Sequence, residues 1–514
     1  MAKKNSGRLS LTSWGSDLPA GIVVFLVALP LCLGIALASG APAMSGIMGG
    51  IIGGIVVGFI SGSPLSVSGP AAGLTTIVLS SISSLGSFEF FLAAVFLAGV
   101  FQILMGIARA GLFGSYIPTS VIKGMLAAIG IILIMKQIPH ALGYDKDFEG
   151  DESFIQNDGH NTFSELYYSF VYPSPGAVII CLFSIALIVL WESKGMKQKM
   201  LTKILPAPLL VVMSGIAFNQ FFSRSIPQWE LKGDHVVNLP PIHGLSGFMN
   251  QLQQPDFSTI FSNAEIWITA FTIAIIASIE SLLSVEAGDR LDPYRRSTPP
   301  NRELIAQGIG NSISGLSGGL PITAVIVRSS ANIAAGGKTK LSTIIHGFLL
   351  LICVISIPGI LNLIPKSSLA AILLLVGYKL TKIELFRSQM AKGWSQFLPF
   401  IITLFAILFT DLLIGICIGI CVGILFILRN NFRSAISLTA NGNNYLIRLN
   451  KDVSFLNKPL IRQYIQLIPD GADVIIDGTH AGFIDEDVLE ELRELMHLAP
   501  QKNIQIKIKN IKSL

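Results

Sequence analysis

Residues 277–339 read ASIESLLSVEAGDRLDPYRRSTPPNRELIAQGIGNSISGLSGGLPITAVIVRSSANIAAGGKT. The stretch opens as an apolar helix that carries one carboxylate, Glu280. A short helix is predicted to begin at Pro321, directly after Gly318–Gly319, with Arg328 about two turns inside it. Because charged side chains are costly in apolar membrane segments, Glu280 and Arg328 are predicted to belong to a functional site.

The composition around this stretch is that of a membrane protein. The chain has 514 residues, of which 51% are hydrophobic and 13% charged, and its mean hydropathy is +0.66. Soluble domains are more charged and less apolar than this. The net charge of +5 is ascribed to basic loops that face lipid headgroups, so no nucleic-acid partner is expected.

Fourteen apolar runs predict an α-helical polytopic membrane protein. Two of them, 65–84 and 321–335, are interrupted by Gly and Pro near their starts, and 304–317 is too polar to face lipid and should pack inside the protein. The runs are 18–38, 43–61, 65–84, 89–108, 117–138, 175–191, 205–222, 264–287, 304–317, 321–335, 341–357, 366–379, 395–410 and 412–428.

Loop charges orient these runs. Basic residues fall consistently in the connections on one side, whereas the loop 140–174 on the other side is rich in Asp and Glu. The positive-inside rule then places both termini in the cytoplasm, with a cytoplasmic segment 1–16 and a transmembrane domain 17–430. No small-residue cleavage site precedes the first apolar run, so we expect it to be retained in a bacterial-type inner (plasma) membrane.

Two stretches break the helical pattern in matching ways. SGSPLSVSGPAAGLTT (61–76) and SGLSGGLPITAVIVRSS (314–330) both pass from small residues through a proline into a short helix. Paired interruptions in the two halves of a transporter indicate half-helices whose positive N-termini face an anion. The alternative is two ordinary kinked spans without a ligand.

Glu280 has a polar neighbour on its helix. Ser284 lies one helical turn after Glu280, so a carboxylate and a hydroxyl can face one point. Such a pair suits either a bound Na⁺ or a protonation switch. Alternatively, Glu280 is structural and only hydrogen-bonds a neighbouring helix.

Arg328 has three possible roles. It could add positive potential behind the anion site, extend to the cytoplasmic interface, or pair with an acidic group such as Glu280. The sequence alone does not choose among them.

The tail after residue 432 has a different character. YLIRL, DVIIDG and IQIKIKNI are predicted strands, and 457–467 and 485–498 are predicted helices. The order β-α-β-α-β predicts a small α/β domain at 440–514.

The sequence lacks the motifs that would indicate an enzyme. The sequence contains no phosphate-binding Lys-Ser loop, nucleophile elbow or metal cluster, so no enzyme activity and no cofactor are predicted. The histidines His140, His160, His235 and His243 fall in external segments without ligand spacing and receive no role.

The chain resembles the sulfate permease (SulP) family of anion transporters, and the likeness covers nearly its whole length. The matching stretches include DLPAGIVVFLVALPLCLGIALASG (17–40), SGSPLSVSGPAAGLT (61–75), GLFGSYIPTSVIKGMLAAIGIILIMKQIPHALG (111–143) and the ESLLSVEAGD and NRELIAQGIGNSISGLSGGLPITAVIVRSSANIAAGGKT blocks. VIIDGTHAGFIDEDVLEEL (474–492) is similar to a STAS domain.

The resemblance implies fourteen spans in two inverted repeats of seven, core and gate domains, an elevator-type movement of the core and a homodimer. It implies a cation-coupling site, for Na⁺ or H⁺, at Glu280 and Ser284, and positive potential from Arg328 at the anion site. Val325 and Val327 depart from relatives that are polar there, and acidic residues 485–487 stand where antagonist domains carry a phosphorylated serine. By motif position, the implied anion-binding residues are Ser68, Gly69, Pro70, Ala71, Pro321, Ile322, Thr323 and Ala324.

The sequence therefore predicts a secondary active transporter of a small inorganic anion in the lipid bilayer. Bicarbonate symport with Na⁺ or H⁺ is the first hypothesis, because a cation at Glu280 can offset the charge of the anion. H⁺-coupled transport of sulfate or a dicarboxylate is the alternative. An anion exchanger or channel ranks below both, since such relatives often lack an acidic residue at this position.

Overall fold

The computed structural model describes residues 13–112, 117–146, 161–193, 196, 205–240, 244–410, 412–433 and 435–511. The chain divides into two compact units, Met1–Ile420 and Cys421–Leu514. The first is helical, and the second contains a four-stranded sheet.

The predicted apolar runs all coincide with helices or with a strand followed by a helix. The helices as far as residue 433 are α1 (Trp14–Ala38), α2 (Ala43–Ile60), α3 (Ala72–Leu85), α4 (Phe88–Ile107), α5 (Thr119–Leu142), α6 (Thr162–Val171), α7 (Pro175–Trp191), α8 (Ala207–Ser225), α9 (Gly244–Asn250), α10 (Ala264–Leu291), α11 (Pro300–Leu316), α12 (Ile326–Ala334), α13 (Leu341–Ser356), α14 (Pro358–Leu361), α15 (Lys366–Leu380), α16 (Ile383–Met390), α17 (Trp394–Phe409) and α18 (Leu412–Arg433).

Length and composition allow five helices of the described chain, α1, α2, α4, α5 and α10, to cross a membrane on their own. The pair α6 and α7 passes the same test together, although it is bent by 106°. The remaining apolar helices are shorter, as expected where spans are broken or packed inside a helical protein. The molecule is thus an α-helical polytopic membrane protein.

The two predicted breaks are short strands that pair with each other. Strand β1 (Ser68–Pro70) runs antiparallel to β2 (Ile322–Ala324), with Gly69 opposite Thr323. The prediction that a helix begins at Pro321 is therefore wrong, because the next three residues extend to pair with β1 and α12 begins only at Ile326. Arg328 consequently lies in the first turn of α12 and not two turns inside it.

The polar helix α11 packs inside the protein, as predicted. It crosses α4 at a seam of glycines, where a Cβ on Gly308 would lie 2.7 Å from the carbonyl oxygen of Gly99 and one on Gly315 would lie 2.5 Å from the amide nitrogen of Phe96. Small residues at such contacts let two helix backbones approach closely. The polar face of α11 is thereby turned toward the strand pair.

A buried aspartate connects α1 to the turn before α13. Asp17 is fully buried, and its Oδ1 accepts hydrogen bonds from the backbone N–H groups of Lys338 at 2.7 Å and Thr339 at 3.0 Å. The Thr339 hydroxyl donates to Oδ2 at 2.5 Å. Charge-assisted bonds of this kind are stronger than neutral ones, so Asp17 fixes the chain that leaves α12.

The second unit is a small α/β fold compatible with a STAS domain. Its sheet has the order β3 (Ile436–Asn441), β4 (Asn444–Leu449), β5 (Asp473–Asp477) and β6 (Gln505–Lys509), with the last two pairings parallel. Helices α19 (Lys458–Gln466) and α20 (Glu486–Leu498) make the crossovers that parallel strands require. The predicted strands and helices of the tail are confirmed.

Strand β3 was missed by the sequence prediction. It pairs with β4 through a two-residue turn at Gly442–Asn443, where Gly442 has a φ of 58°. Asn-Gly followed by a polar residue between extended segments is a strong hairpin signal. The tail therefore has the order β-β-α-β-α-β.

Two histidines without a predicted role flank one buried carboxylate. His140 Nδ1 lies 2.5 Å from Asp145 Oδ1, and His235 Nδ1 lies 2.6 Å from Asp145 Oδ2. Burial opposes the ionisation of Asp145, but the hydrogen bonds from the two histidines outweigh it and lower the pKa of this carboxyl to about 2. The hydrogen bond to Asp145 raises the pKa of His235.

This cluster predicts a pH dependence of stability. The pKa of His235 is raised above its unfolded value of about 6.5, so the stabilisation is complete below that pH and is lost as the pH rises through the folded pKa. Asp145 stays ionised throughout this range. We expect the thermal unfolding midpoint of the detergent-solubilised protein to fall as the pH increases from about 6.5.

The substitution His235→Gln should flatten this part of the profile, because glutamine carries no titrating proton. His480→Gln serves as the matched control, since His480 is an exposed residue of the second unit. An unchanged slope in His235→Gln would show that the cluster does not contribute to the pH dependence.

Candidate functional site

The paired strands set the directions of two half-helices. Since β1 and β2 are antiparallel, the helices that follow them, α3 and α12, leave the pair in opposite directions. Each begins within two residues of its strand, α3 at Ala72 and α12 at Ile326. Both positive helix ends therefore lie beside the strand pair, which is the arrangement that attracts an anion.

Side chains from α11 complete the hydrogen bonding of the strands. The Asn311 amide donates to the carbonyl oxygen of Ile322 at 2.9 Å, and its Oδ1 accepts from the Ile322 N–H at 2.5 Å. Gln307 Nε2 donates to Ser68 Oγ at 2.8 Å. Buried backbone groups need such partners, because an unpaired one costs free energy.

A small cavity lies at the ends of the half-helices. Its volume is about 30 Å³, and it contains groups from both halves of the chain. Its lining residues are Leu31, Ile35, Ala72, Ile129, Glu280, Ser284, Val325, Ile326, Val327, Arg328 and Leu412. The cavity is therefore bounded by the first turn of each half-helix and by both predicted coupling residues.

The structure separates the predicted anion-binding and cation-coupling residues into two groups. Glu280, Ser284 and Arg328 line the cavity. The other residues form the neighbouring strand pair and its flanks, where the Ser68 hydroxyl is turned to Gln307. These strand and flank residues are Ser68, Gly69, Pro70, Ala71, Pro321, Ile322, Thr323 and Ala324.

Glu280 lies against the start of the first half-helix. It is buried, and a Cβ on Gly73 would lie 3.2 Å from its Oε1 and 3.3 Å from its Oε2. The next residue on α10, Ser281, accepts a hydrogen bond from the Ala324 N–H at 3.2 Å. Helix α10 thus contacts both halves of the site, and it places a carboxylate where a positive helix end begins.

Arg328 is a buried cation beside the first strand. Its side chain is fully buried, its guanidinium Cζ lies 3.1 Å from where a Cβ on Gly69 would be, and the Cys32 thiol is a neighbour. Apart from the Cys32 thiol, its three guanidinium nitrogens have no hydrogen-bond partner among the described residues. Among the described residues, Arg328 forms no ion pair with Glu280.

A buried cation without a carboxylate partner is costly unless an anion or polar ligand offsets its charge. The guanidinium of Arg328 lies next to β1 and lines the cavity. Full burial also means that its charged end does not reach the protein surface.

Several residues of the site were not identified from the sequence. Gly73 contacts Glu280, Ser281 holds β2, and Gln307 and Asn311 hold the two strands. A signal for the last two was present, because Glu303, Gln307 and Asn311 recur every four residues and so share one face of a helix. Among the described residues, no group of three or more His, Cys, Asp or Glu side chains is arranged to hold a metal ion.

Two broken spans that meet at paired strands, with an acidic helix beside them, are the arrangement expected of membrane transporters built from inverted repeats. Residues 15–426 match the model of the sulfate permease family. Because this match covers most of the chain, the protein belongs to the sulfate permease family.

Known relatives differ in the substrate that their names give. The chain is 28% identical over 384 residues to the putative sulfate transporter YvdB of Bacillus subtilis, covering 73% of this chain and 67% of that one. It is also 28% identical over 371 residues to the bicarbonate transporter BicA of Picosynechococcus sp., covering 70% and 61%. The chain thus spans about two thirds or less of these relatives.

Solved structures share the fold. The transmembrane domain of a cyanobacterial bicarbonate transporter BicA aligns with a TM-score of 0.55 at 24% identity, over 81% of this chain and 99% of that one. The overall structure of SLC26A9 aligns with a TM-score of 0.67 at 16% identity, over 97% and 84%. At such identities the likeness concerns the fold alone.

The contact between Asn311 and β2 predicts a loss of stability in Asn311→Leu. Leucine removes both hydrogen bonds to Ile322 and leaves its buried N–H and carbonyl unpaired, which costs roughly 2–4 kcal/mol. We expect a clearly lower thermal unfolding midpoint in detergent. The control is Ser312→Ala on the same helix, because the Ser312 hydroxyl makes one long bond of 3.4 Å. Equal midpoints for the two variants would contradict the prediction.

Proposed function

We propose that this protein is a secondary active transporter of a small inorganic anion. The observation that carries the proposal is a fully buried Arg328 that has no carboxylate partner among the described residues and lies beside a cavity bounded by the first turns of two half-helices. Two helix N-termini and a guanidinium together favour negative charge at this point. The relatives named as sulfate and bicarbonate transporters support the same class of substrate.

Glu280 and Ser284 form the proposed coupling site for Na⁺ or H⁺. Their side chains line the same cavity as the helix ends, so an ionised Glu280 would repel an anion that enters it. A cation bound to the carboxylate, or a proton on it, removes this repulsion. The anion and the cation are therefore expected to bind together, which is the requirement of symport.

Bicarbonate is the proposed substrate, with H⁺-coupled transport of sulfate or a dicarboxylate as the alternative. The cavity is small, and Val325 and Val327 give it apolar walls. A singly charged anion needs fewer hydrogen-bond donors than a doubly charged one, so such a site suits bicarbonate better. The chain is equally identical to YvdB and to BicA, so sequence identity does not favour sulfate or bicarbonate. The proposed substrate therefore rests on the size and the apolar walls of the cavity.

The proposal extends to the movement and the assembly. The antiparallel pairing of β1 and β2 agrees with fourteen spans in two inverted repeats of seven, in which a core carrying the anion moves by an elevator mechanism against a gate. We further propose a homodimer in a bacterial-type inner membrane, with both termini cytoplasmic. The transport domain would occupy 17–430 and the STAS-like domain 440–514.

Uptake into proteoliposomes tests the proposed function. Labelled bicarbonate and sulfate would each be offered with an imposed Na⁺ or H⁺ gradient. We expect bicarbonate uptake to require a cation gradient, and Glu280→Gln to reduce that uptake about tenfold or more, because glutamine cannot bind a cation as a carboxylate does.

Glu265→Gln is the matched control, since Glu265 lies exposed at the start of the same helix α10. Sulfate uptake driven by H⁺ would support the alternative substrate. Full cation-coupled uptake by Glu280→Gln would remove this residue from the coupling mechanism, and no uptake of either anion would refute the proposed function.

The close approach of Gly73 to Glu280 gives a milder test. The Cβ of Gly73→Ala would lie 3.2–3.3 Å from the carboxylate, so Glu280 must shift by a few tenths of an ångström. We expect a roughly threefold to tenfold higher apparent KM for the coupling cation, equivalent to about 1 kcal/mol. In Gly288→Ala, on the same helix as Glu280, the added Cβ meets no atom within 4 Å, so its KM should match the wild type.

Equal cation affinities in Gly73→Ala and Gly288→Ala would show that the position of the Glu280 carboxylate does not set cation binding. A lower affinity for the anion alone would instead assign the start of α3 to the anion.

A further inference from the structure

A second buried carboxylate, Glu303, lies near the strand pair and is not among the residues that line the cavity. Glu303 in the first turn of α11 is fully buried. The Ser61 hydroxyl donates a short hydrogen bond to its Oε2, and Gln307 Nε2 donates to its Oε1 at 2.9 Å. The Ser61 oxygen in turn accepts from the Ser63 N–H at 3.0 Å.

These contacts form a continuous chain of hydrogen bonds to the first strand. Gln307 Nε2 donates one hydrogen to Glu303 and the other to Ser68 Oγ, at 2.9 and 2.8 Å. Ser68 belongs to β1. The carboxyl group of Glu303 is therefore connected to β1 through two hydrogen bonds.

Among the described residues, few charged groups lie near Glu303. Electrostatic interactions reach it from Arg302 on the same helix and from Asp289 at the end of α10. Arg302 is exposed and donates to the carbonyl oxygen of Ile60 at 2.8 Å, so it is not hydrogen-bonded to Glu303. Neutral donors alone stabilise an ionised carboxylate poorly in such a site. The preceding residue, Arg302, is exposed, so Glu303 lies one residue along the chain from the protein surface.

We propose that Glu303 is a proton-binding site, separate from Glu280, and that its protonation reverses the hydrogen bond between Gln307 and Ser68. This inference rests on the proposed function. The ionised carboxylate accepts from Gln307 Nε2, which also donates to Ser68, so the Ser68 hydroxyl keeps its hydrogen for another acceptor near the strand.

Protonated Glu303 donates instead of accepting. The Gln307 side-chain oxygen, which has no hydrogen-bond partner among the described residues, then rotates to accept from Glu303 and from the Ser68 hydroxyl together. The proton comes from water at the exposed end of α11 and returns there. Ser68 thereby changes from an acceptor to a donor toward Gln307. Its hydroxyl hydrogen is then no longer available to another acceptor near β1.

Transport kinetics at several pH values test the proposal. The apparent anion KM would be measured in proteoliposomes at saturating cation and with equal pH on both sides. We expect the wild-type KM to rise as Glu303 takes up its proton, with a limiting slope of about tenfold per pH unit for one proton. Glu303→Gln and Ser68→Ala should each remove this dependence of the apparent KM on pH.

Infrared difference spectra give a readout that does not depend on transport. Spectra of the full chain in lipid at low and high pH should contain the band of a protonated carboxyl group that is absent in Glu303→Gln and present in Glu280→Gln. If Glu303→Gln does not fold, Ser61→Ala should shift the frequency of this band, because one hydrogen bond to the carboxyl group is lost.

The outcomes separate the two proposals. Spectra of Glu303→Gln that contain every protonated-carboxyl band of the wild type, a band unmoved in Ser61→Ala, or a wild-type KM profile in Glu303→Gln would overturn the role of Glu303. Absence of anion uptake by the wild type would refute the proposed function, and the infrared result would then stand by itself as a measure of the proton site.

Discussion

The pairing of three residues of one half of the chain with three of the other is the contact on which the site depends. Extended backbone inside a membrane protein must find internal partners for its N–H and C=O groups. Ser68–Pro70 and Ile322–Ala324 provide them for each other, and the α11 side chains provide the rest. The need for these side chains explains why α11 is too polar to face lipid, and why glycines let it pack closely on α4.

Two opposite charges approach the first broken segment at positions four residues apart. The guanidinium of Arg328 lies where a side chain on Gly69 would be, and the carboxylate of Glu280 lies beside Gly73. Glycine at both positions lets these groups come near the backbone, which larger residues would prevent. A guanidinium and a carboxylate are thus held beside one short segment, and a helix end lies between them.

The sequence predicted the helical runs, the two breaks and the elements of the tail, because each depends on local periodicity or on Gly and Pro. It failed where distant residues interact. The start of α12 was misplaced because β2 exists only by pairing with β1, and no local pattern indicates that contact. His140, Asp145 and His235 likewise meet only in the folded chain. For Gln307 and Asn311 the periodic signal was present, but their partners could not be predicted.

The distance along the chain between the two strands has a consequence for biosynthesis. Pro70 pairs with Ile322, which is about 250 residues later, and a ribosome adding roughly 5–20 residues per second needs about 10–50 s to make that stretch. During this interval the first strand has neither its partner nor the α11 side chains, so its polar backbone has to be hydrated or held by the insertion machinery. Membrane insertion of the first half therefore precedes, by tens of seconds, the moment at which the binding region can form.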